Sequence, residues 1–139
     1  MGKILIIEDE AALSGALAAS FRAHNFEVVA AENGEKGLQL ALQQHPDIIL
    51  LDITMPVMDG NIMLDKLRQD KWGSTAPVIV LTNRDDAQSI TSSLNNNVTW
   101  YHIKVDLKLD EFVSEVRDIL QTIRWIKPPS RDGAKPEPL

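Results

Sequence analysis

Short runs of β-branched and apolar residues alternate along the chain with longer stretches whose apolar residues recur every three or four positions. Ile4-Leu5-Ile6-Ile7 reads as a strand buried on both faces, and Glu27-Val28-Val29-Ala30 as a second strand. A third runs from Asp47 to Leu51, a fourth from Pro77 to Leu81 and a fifth from Val98 to Ile103. The first intervening stretch, Ala11 to His24, places Leu13, Leu17 and Phe21 on one helical face. Gly34 to Gln44 reads as a short helix with Leu38, Ala41 and Leu42 inward, ended by Pro46. Asp59-Gly60 forms a turn into a helix that runs through Leu67, and a weaker helix spans Asp85 to Leu94. The last helix, Asp110 to Trp125, turns Phe112, Val113, Val116, Ile119, Leu120 and Ile123 inward.

Five successive β-α units predict an α/β fold: a doubly wound parallel sheet with right-handed crossovers and helices on both faces. A chain of 139 residues can bury one core, and residues 1–126 are read as that single domain. Lys127 to Leu139 is rich in proline and charge and has no apolar period, so it is expected to be a disordered tail. The absence of cysteine excludes disulfides and thiolate metal sites. A formal charge of -6 argues against nonspecific binding to nucleic acid or to anionic membranes. The apolar start is interrupted by Glu8-Asp9-Glu10, too early for a signal peptide or a membrane span. Gly2 lacks the Ser or Thr that myristoylation wants at position 6, which is Ile. A soluble cytoplasmic protein is expected.

Ligands of an open parallel sheet bind beyond the carboxyl ends of its strands. Strand one ends in Glu8-Asp9, strand three in Asp52, strand four in Thr82 and strand five in Lys104. Carboxylates brought this close resist ionisation, and a hard dication relieves them. Mg²⁺ suits such a site because it takes oxygen ligands, keeps several waters and typically binds one or two carboxylates plus a phosphate. Asp9 and Asp52 are read as direct ligands, Glu8 as acting through water, and the Thr54 main-chain carbonyl as a further oxygen. With no His or Cys at a strand end, Zn²⁺ does not fit. A carboxylate is also a nucleophile able to form an aspartyl phosphate. Phosphoryl transfer needs positioning and charge neutralisation more than covalent help, which Lys104 and the Thr82 hydroxyl can supply. Asp52 is the expected nucleophile, because it ends the central strand between the acidic pair and Thr82/Lys104.

Taken together, Glu8-Asp9, the string Asp52-Ile53-Thr54-Met55-Pro56-Val57-Met58-Asp59-Gly60, Thr82 and Tyr101-x-x-Lys104 resemble the receiver domain of two-component response regulators. The resemblance covers about residues 3–124. It implies a flavodoxin-like five-stranded sheet in the order 2-1-3-4-5. It also implies phosphotransfer to Asp52 from a histidine kinase or a histidine phosphotransfer protein. It further implies a switch in which the Thr82 hydroxyl moves toward the phosphoryl group and the Tyr101 ring turns inward behind it. The surface of the Asp85–Leu94 helix, the fifth strand and the last helix then changes, as a population shift. Such a domain catalyses only its own phosphorylation and dephosphorylation.

The sequence departs from the family pattern at three places. Val105 follows Lys104 where the family usually has proline after a cis bond. A cis bond before a non-proline residue costs about 2.5–4 kcal/mol, so a trans bond and a different loop are expected. Asn83 and Arg84 follow Thr82 where the family usually has a small residue and a residue at the site mouth, and both are expected to alter the lifetime of the phosphorylated form. Asn95-Asn96-Asn97 stands in a turn where the family usually has glycine, and asparagine tolerates the left-handed conformation that a turn requires. His24, His45 and His102 are read as surface or rim residues, Trp72 as a cover for the core edge, and Trp100 as a candidate partner anchor.

With no output domain after the last helix, output is expected through an unidentified downstream protein or by passing the phosphoryl group onward. The unphosphorylated protein is expected to be a monomer, with dimerisation open to the phosphorylated form. The alternative is a pseudo-receiver, an interaction module indifferent to phosphate. An independent hydrolase would need a substrate pocket and a cap insertion for which the loops are too short.

Overall fold

A computed structural model describes residues 2–53, 58–82, 97–104 and 107–126. Its strands are β1 (Lys3–Ile7), β2 (Glu27–Ala31), β3 (Ile48–Asp52), β4 (Val78–Thr82) and β5 (Trp100–Ile103). Its α-helices, among the described residues, are α1 (Ala11–Ala23), α2 (Gly34–Gln44), α3 (Gly60–Gln69) and α4 (Leu109–Ile126). The Asp85–Leu94 helix, Thr54, Asn83, Arg84, Val105 and the 127–139 tail lie outside the described residues.

The strands pair in parallel in the order β2-β1-β3-β4-β5. The alternating pattern implied the parallel pairing, and the resemblance to receiver domains implied the order. Strand residues face opposite sides in turn, and both sides are apolar. Ile4, Ile6, Ile48, Leu50, Ile79 and Leu81 pack under α1 and α4 with Leu17, Phe21, Phe112 and Val116. Leu5, Ile7, Ile49, Leu51, Val78 and Val80 pack under α3 with Met63, Leu64 and Leu67. The central strands β3 and β4 are buried at every position. A sheet covered on both faces leaves only its strand ends open to solvent, and those ends carry the polar residues.

Local chemistry sets the helix starts. Asn33 caps α2 by accepting from the Lys36 N–H at 2.9 Å, and Asp59 caps α3 by accepting from the Ile62 N–H at 3.0 Å. Gly60 is required by a close approach: a Cβ there would lie 2.4 Å from the Asp52 carbonyl oxygen. The Gly60 N–H donates to the Ile53 carbonyl at 2.7 Å. Asp59-Gly60 thus folds α3 back against the end of β3, as its turn chemistry suggested. Asn97 adopts the expected left-handed conformation, with φ 57°.

The inward face of α2 differs from the expectation. Leu42 is 37% exposed, and the buried stripe is Gly34, Gly37 and Ala41, with Leu38 only partly covered. A Cβ at Gly37 would meet Ile7 Cδ1 at 2.4 Å, so α2 approaches β1 through its small residues. Leu42 then lies roughly 100° round the helix from that stripe. The strand ends also shift: β3 and β4 each extend one residue further, to include Asp52 and Thr82, while β5 begins at Trp100. Asp47 precedes β3 and accepts from the Lys3 N–H at 2.7 Å.

Candidate functional site

Register brings the predicted residues to one edge. Ile7 pairs with Leu51, Asp52 with Leu81, and Thr82 with Ile103. Glu8 and Asp9 therefore follow β1 beside the end of β3, and Lys104 follows β5 directly. Glu8 extends the pairing with β2, its N–H donating to the Ala31 carbonyl at 3.0 Å. Glu8, Asp52 and Thr82 are the buried polar or charged residues among those described. Asp9 is exposed at the mouth.

One carboxylate oxygen from each of Glu8, Asp9 and Asp52 lies within 4.8 Å of the others. Lys104 crosses from β5 to reach them, and its side chain is only 7% exposed. Its Nζ stands 2.8 Å from Glu8 Oε1, 3.1 Å from Asp52 Oδ2 and 3.1 Å from Glu10 Oε1. Lys104 thus reaches the acidic residues with Val105 in the position of the family's proline.

The electrostatics follow from burial and crowding. Burial, the Glu8 charge and a hydrogen bond with Asp9 push Asp52 up to about 8, with Lys104 pulling the other way. Burial alone would raise Asp9 as well, but hydrogen bonds with Asp52 and Glu8, together with Lys104, hold it below the usual carboxylate range. Of Asp9 and Asp52, Asp52 is therefore the one that holds its proton more tightly. Burial would lower the Lys104 ammonium, but Glu8 and Asp52 outweigh it and raise its pKa. The donor set is all oxygen and too negative for one ammonium, and a divalent cation in place of the proton fits it.

Tyr101 and Trp100 lie on β5, 41% and 57% exposed, with their rings stacked at 6.4 Å. His102 is partly buried, edge-on to Phe112, with Nε2 3.0 Å from a Glu115 carboxylate oxygen on α4. His24 Nδ1 stands 2.8 Å from the Ser20 carbonyl, and exposed His45 stacks on Trp72 at 4.2 Å. Trp72 is partly buried against the core. Sequence reasoning missed Glu10. Its acidic neighbours were a signal, but nothing local links it to a lysine 94 residues away.

A doubly wound parallel sheet with an acidic cleft and a buried lysine at its carboxyl edge defines a class of α/β domain whose ligand site lies beyond the strand ends. A sequence model of the response regulator receiver domain matches residues 4–117, and the chain belongs to that family, the receiver domains of two-component response regulators. It is 39% identical over 85 residues to Protein PilH of Pseudomonas aeruginosa, covering 61% of this chain and 70% of PilH. It is 31% identical over 121 residues to the DNA-binding dual master transcriptional regulator RpaA of Synechocystis, covering 87% of this chain and 50% of RpaA. The chain thus spans about half the length of RpaA.

Among solved structures, it is similar to the signal receiver domain of a signal transduction histidine kinase from Syntrophus aciditrophicus. The TM-score is 0.80 at 25% identity, over 94% of this chain and 98% of that one. A CheY-like receiver domain protein from Methanospirillum hungatei, with TM-score 0.83 at 21% identity over 91% and 98% of the two chains, shares the fold. No helix among the described residues is long and apolar enough to cross a membrane.

Proposed function

We propose that this chain is a phosphoacceptor switch in which Asp52 takes a phosphoryl group from a histidine kinase or a histidine phosphotransfer protein. The observation that carries the reading is the Lys104 ammonium 3.1 Å from Asp52 Oδ2, at a cluster of three carboxylates. An Asp52 oxygen attacks phosphorus in line. A P–O bond forms, the P–N bond of the donor phosphohistidine breaks, and its electron pair leaves on the imidazole nitrogen. Asp9 and Asp52 would hold Mg²⁺ directly and Glu8 through water, and the Thr54 main-chain carbonyl is proposed as a further ligand. When bound, Mg²⁺ supplies charge neutralisation at the transferring phosphoryl oxygens.

Lys104 contributes a second positive charge from the β5 side, and Thr82 a hydroxyl donor from the end of β4. Movement of the Thr82 hydroxyl toward the phosphoryl group leaves room behind it for the Tyr101 ring to turn inward, which transmits the change to the β5 surface. Output then passes through a downstream protein, with the unphosphorylated form monomeric and dimerisation reserved for the phosphorylated form. The acidic composition gives no support to direct nucleic-acid binding, and the cytoplasm, where histidine kinases present their phosphohistidine, is the site of action.

Incubation with acetyl phosphate and Mg²⁺, read by intact-protein mass, tests the reading. An added phosphoryl mass on the wild type, absent from Asp52→Asn, is expected. No added mass on the wild type would leave the pseudo-receiver, a phosphate-independent interaction module, as the function.

A further inference from the structure

Glu10 is the residue before α1, in the N-cap position, yet its side chain makes no capping bond. N-caps are usually Ser, Thr, Asp or Asn, whose short side chains reach back to the helix N–H groups. The longer Glu10 side chain instead extends across the cleft, where Oε1 accepts from Lys104 Nζ at 3.1 Å. Its main chain is tied to the same site, the Glu10 N–H donating to Glu8 Oε2 at 3.0 Å. The Glu10 side chain is 59% exposed, whereas that of Lys104 is 7% exposed, so the pair spans from the mouth to the interior.

The carboxylates on Lys104 are not equivalent. Glu8 and Asp52 belong to the cluster that can hold a cation, and Glu10 does not. When that cluster is loaded, Glu8 and Asp52 share their charge with the metal and attract the ammonium less. Glu10 shares nothing and keeps its full attraction. A phosphoryl group on Asp52 must then win the ammonium away from the carboxylate at the mouth.

We infer that Glu10 is a positioning residue that competes with the phosphoryl group for Lys104, restraining the ammonium in the loaded, unphosphorylated protein. The inference rests on the proposed phosphoacceptor reading. It predicts that Glu10→Gln captures a phosphoryl group from acetyl phosphate faster, and binds the phosphoryl mimic beryllofluoride more tightly, both at saturating Mg²⁺. Partly exposed ion pairs have modest strength, so the expected gain is roughly two- to fivefold.

A weaker negative field at the mouth would also favour an anionic donor, without any role for Lys104. A double-mutant cycle separates the two causes. The Glu10→Gln gain should vanish in a Lys104→Met background, and a gain that persists there would overturn the inference. A second readout needs neither phosphate nor metal. In the metal-free full chain, the ¹⁵Nζ resonance of Lys104 should shift and its ammonium protons should exchange faster with water in Glu10→Gln, and an unchanged resonance would overturn the inference. If the wild type takes up neither a phosphoryl group nor beryllofluoride, the phosphoacceptor reading itself fails. If it takes up both and Glu10→Gln behaves as wild type, only the role of Glu10 fails.

Discussion

Replacing Asp52 by asparagine should stabilise the metal-free protein while abolishing its response to Mg²⁺. Asp52 is 1% exposed, and its carboxyl is raised from 3.8 to about 8 by burial, by Glu8 and by Asp9, even with Lys104 beside it. The unfolded chain therefore gives up this proton more readily than the folded one. Asp52 imposes no cost below the unfolded value near 3.8, a growing cost as pH rises toward 8, and a constant cost above that. Linkage at about 1.36 kcal/mol per pH unit, taken from 3.8 to neutrality, makes the cost near pH 7 on the order of 4 kcal/mol.

Asparagine removes the charge and keeps the shape. Its amide oxygen can still accept from Lys104, which retains Glu8 and Glu10 as partners. The shift to about 8 already includes the attraction of Lys104; allowing for poorer hydrogen bonding by the amide than by the carboxyl, a gain of about 2–4 kcal/mol is expected, or roughly 6–16 °C in Tm for a domain of this size. Thermal melts of wild type and Asp52→Asn in a chelating buffer, from about pH 5 to pH 9, should show the gap widening as pH rises. Millimolar Mg²⁺ should then raise the wild-type Tm and leave the variant nearly unmoved. Equal stabilities at alkaline pH without metal, or equal stabilisation of both proteins by Mg²⁺, would refute the electrostatic account of the cleft.

Two further predictions concern the frame of the site and its rim. Gly60→Ala puts a methyl group 2.4 Å from the Asp52 carbonyl and 2.6 Å from Ile53 Cα, both backbone atoms. It should cost about 1–3 kcal/mol in urea unfolding and slow phosphoryl uptake by displacing the end of β3, whereas wild-type values for both would show that the α3–β3 contact is slack. Asn83→Ala and Arg84→Ala should each alter the decay of the phosphorylated form, followed by mass after removal of the donor. Identical decay in both would end the role assigned to this pair.

Unbroken apolar runs of four residues specified a sheet buried on both faces, and the chain order of strands and helices specified parallel pairing. Those features are local, written in residues a few positions apart, and they held to within a residue or two at most strand ends. Glu8, Asp9, Asp52, Thr82 and Lys104 were legible for the same reason: each follows or ends an apolar run, so its place at the carboxyl edge follows from the strand alone. Packing between distant segments was not legible. Leu42 looked inward by periodicity, but Gly37 lets α2 close on Ile7 while Gly34 lies against Met58, and that small-residue face leaves Leu42 outward. Glu10 read as one acid among several, and only the juxtaposition of β1, β3 and β5 sets it on Lys104. The raised Asp52 pKa likewise required tertiary structure, because it depends on how completely the assembled sheet excludes water and how closely it presses the carboxylates together. Sequence by itself determined which chemical groups reach the edge; distance and desolvation, which decide their charge and their partners, exist only in the folded molecule.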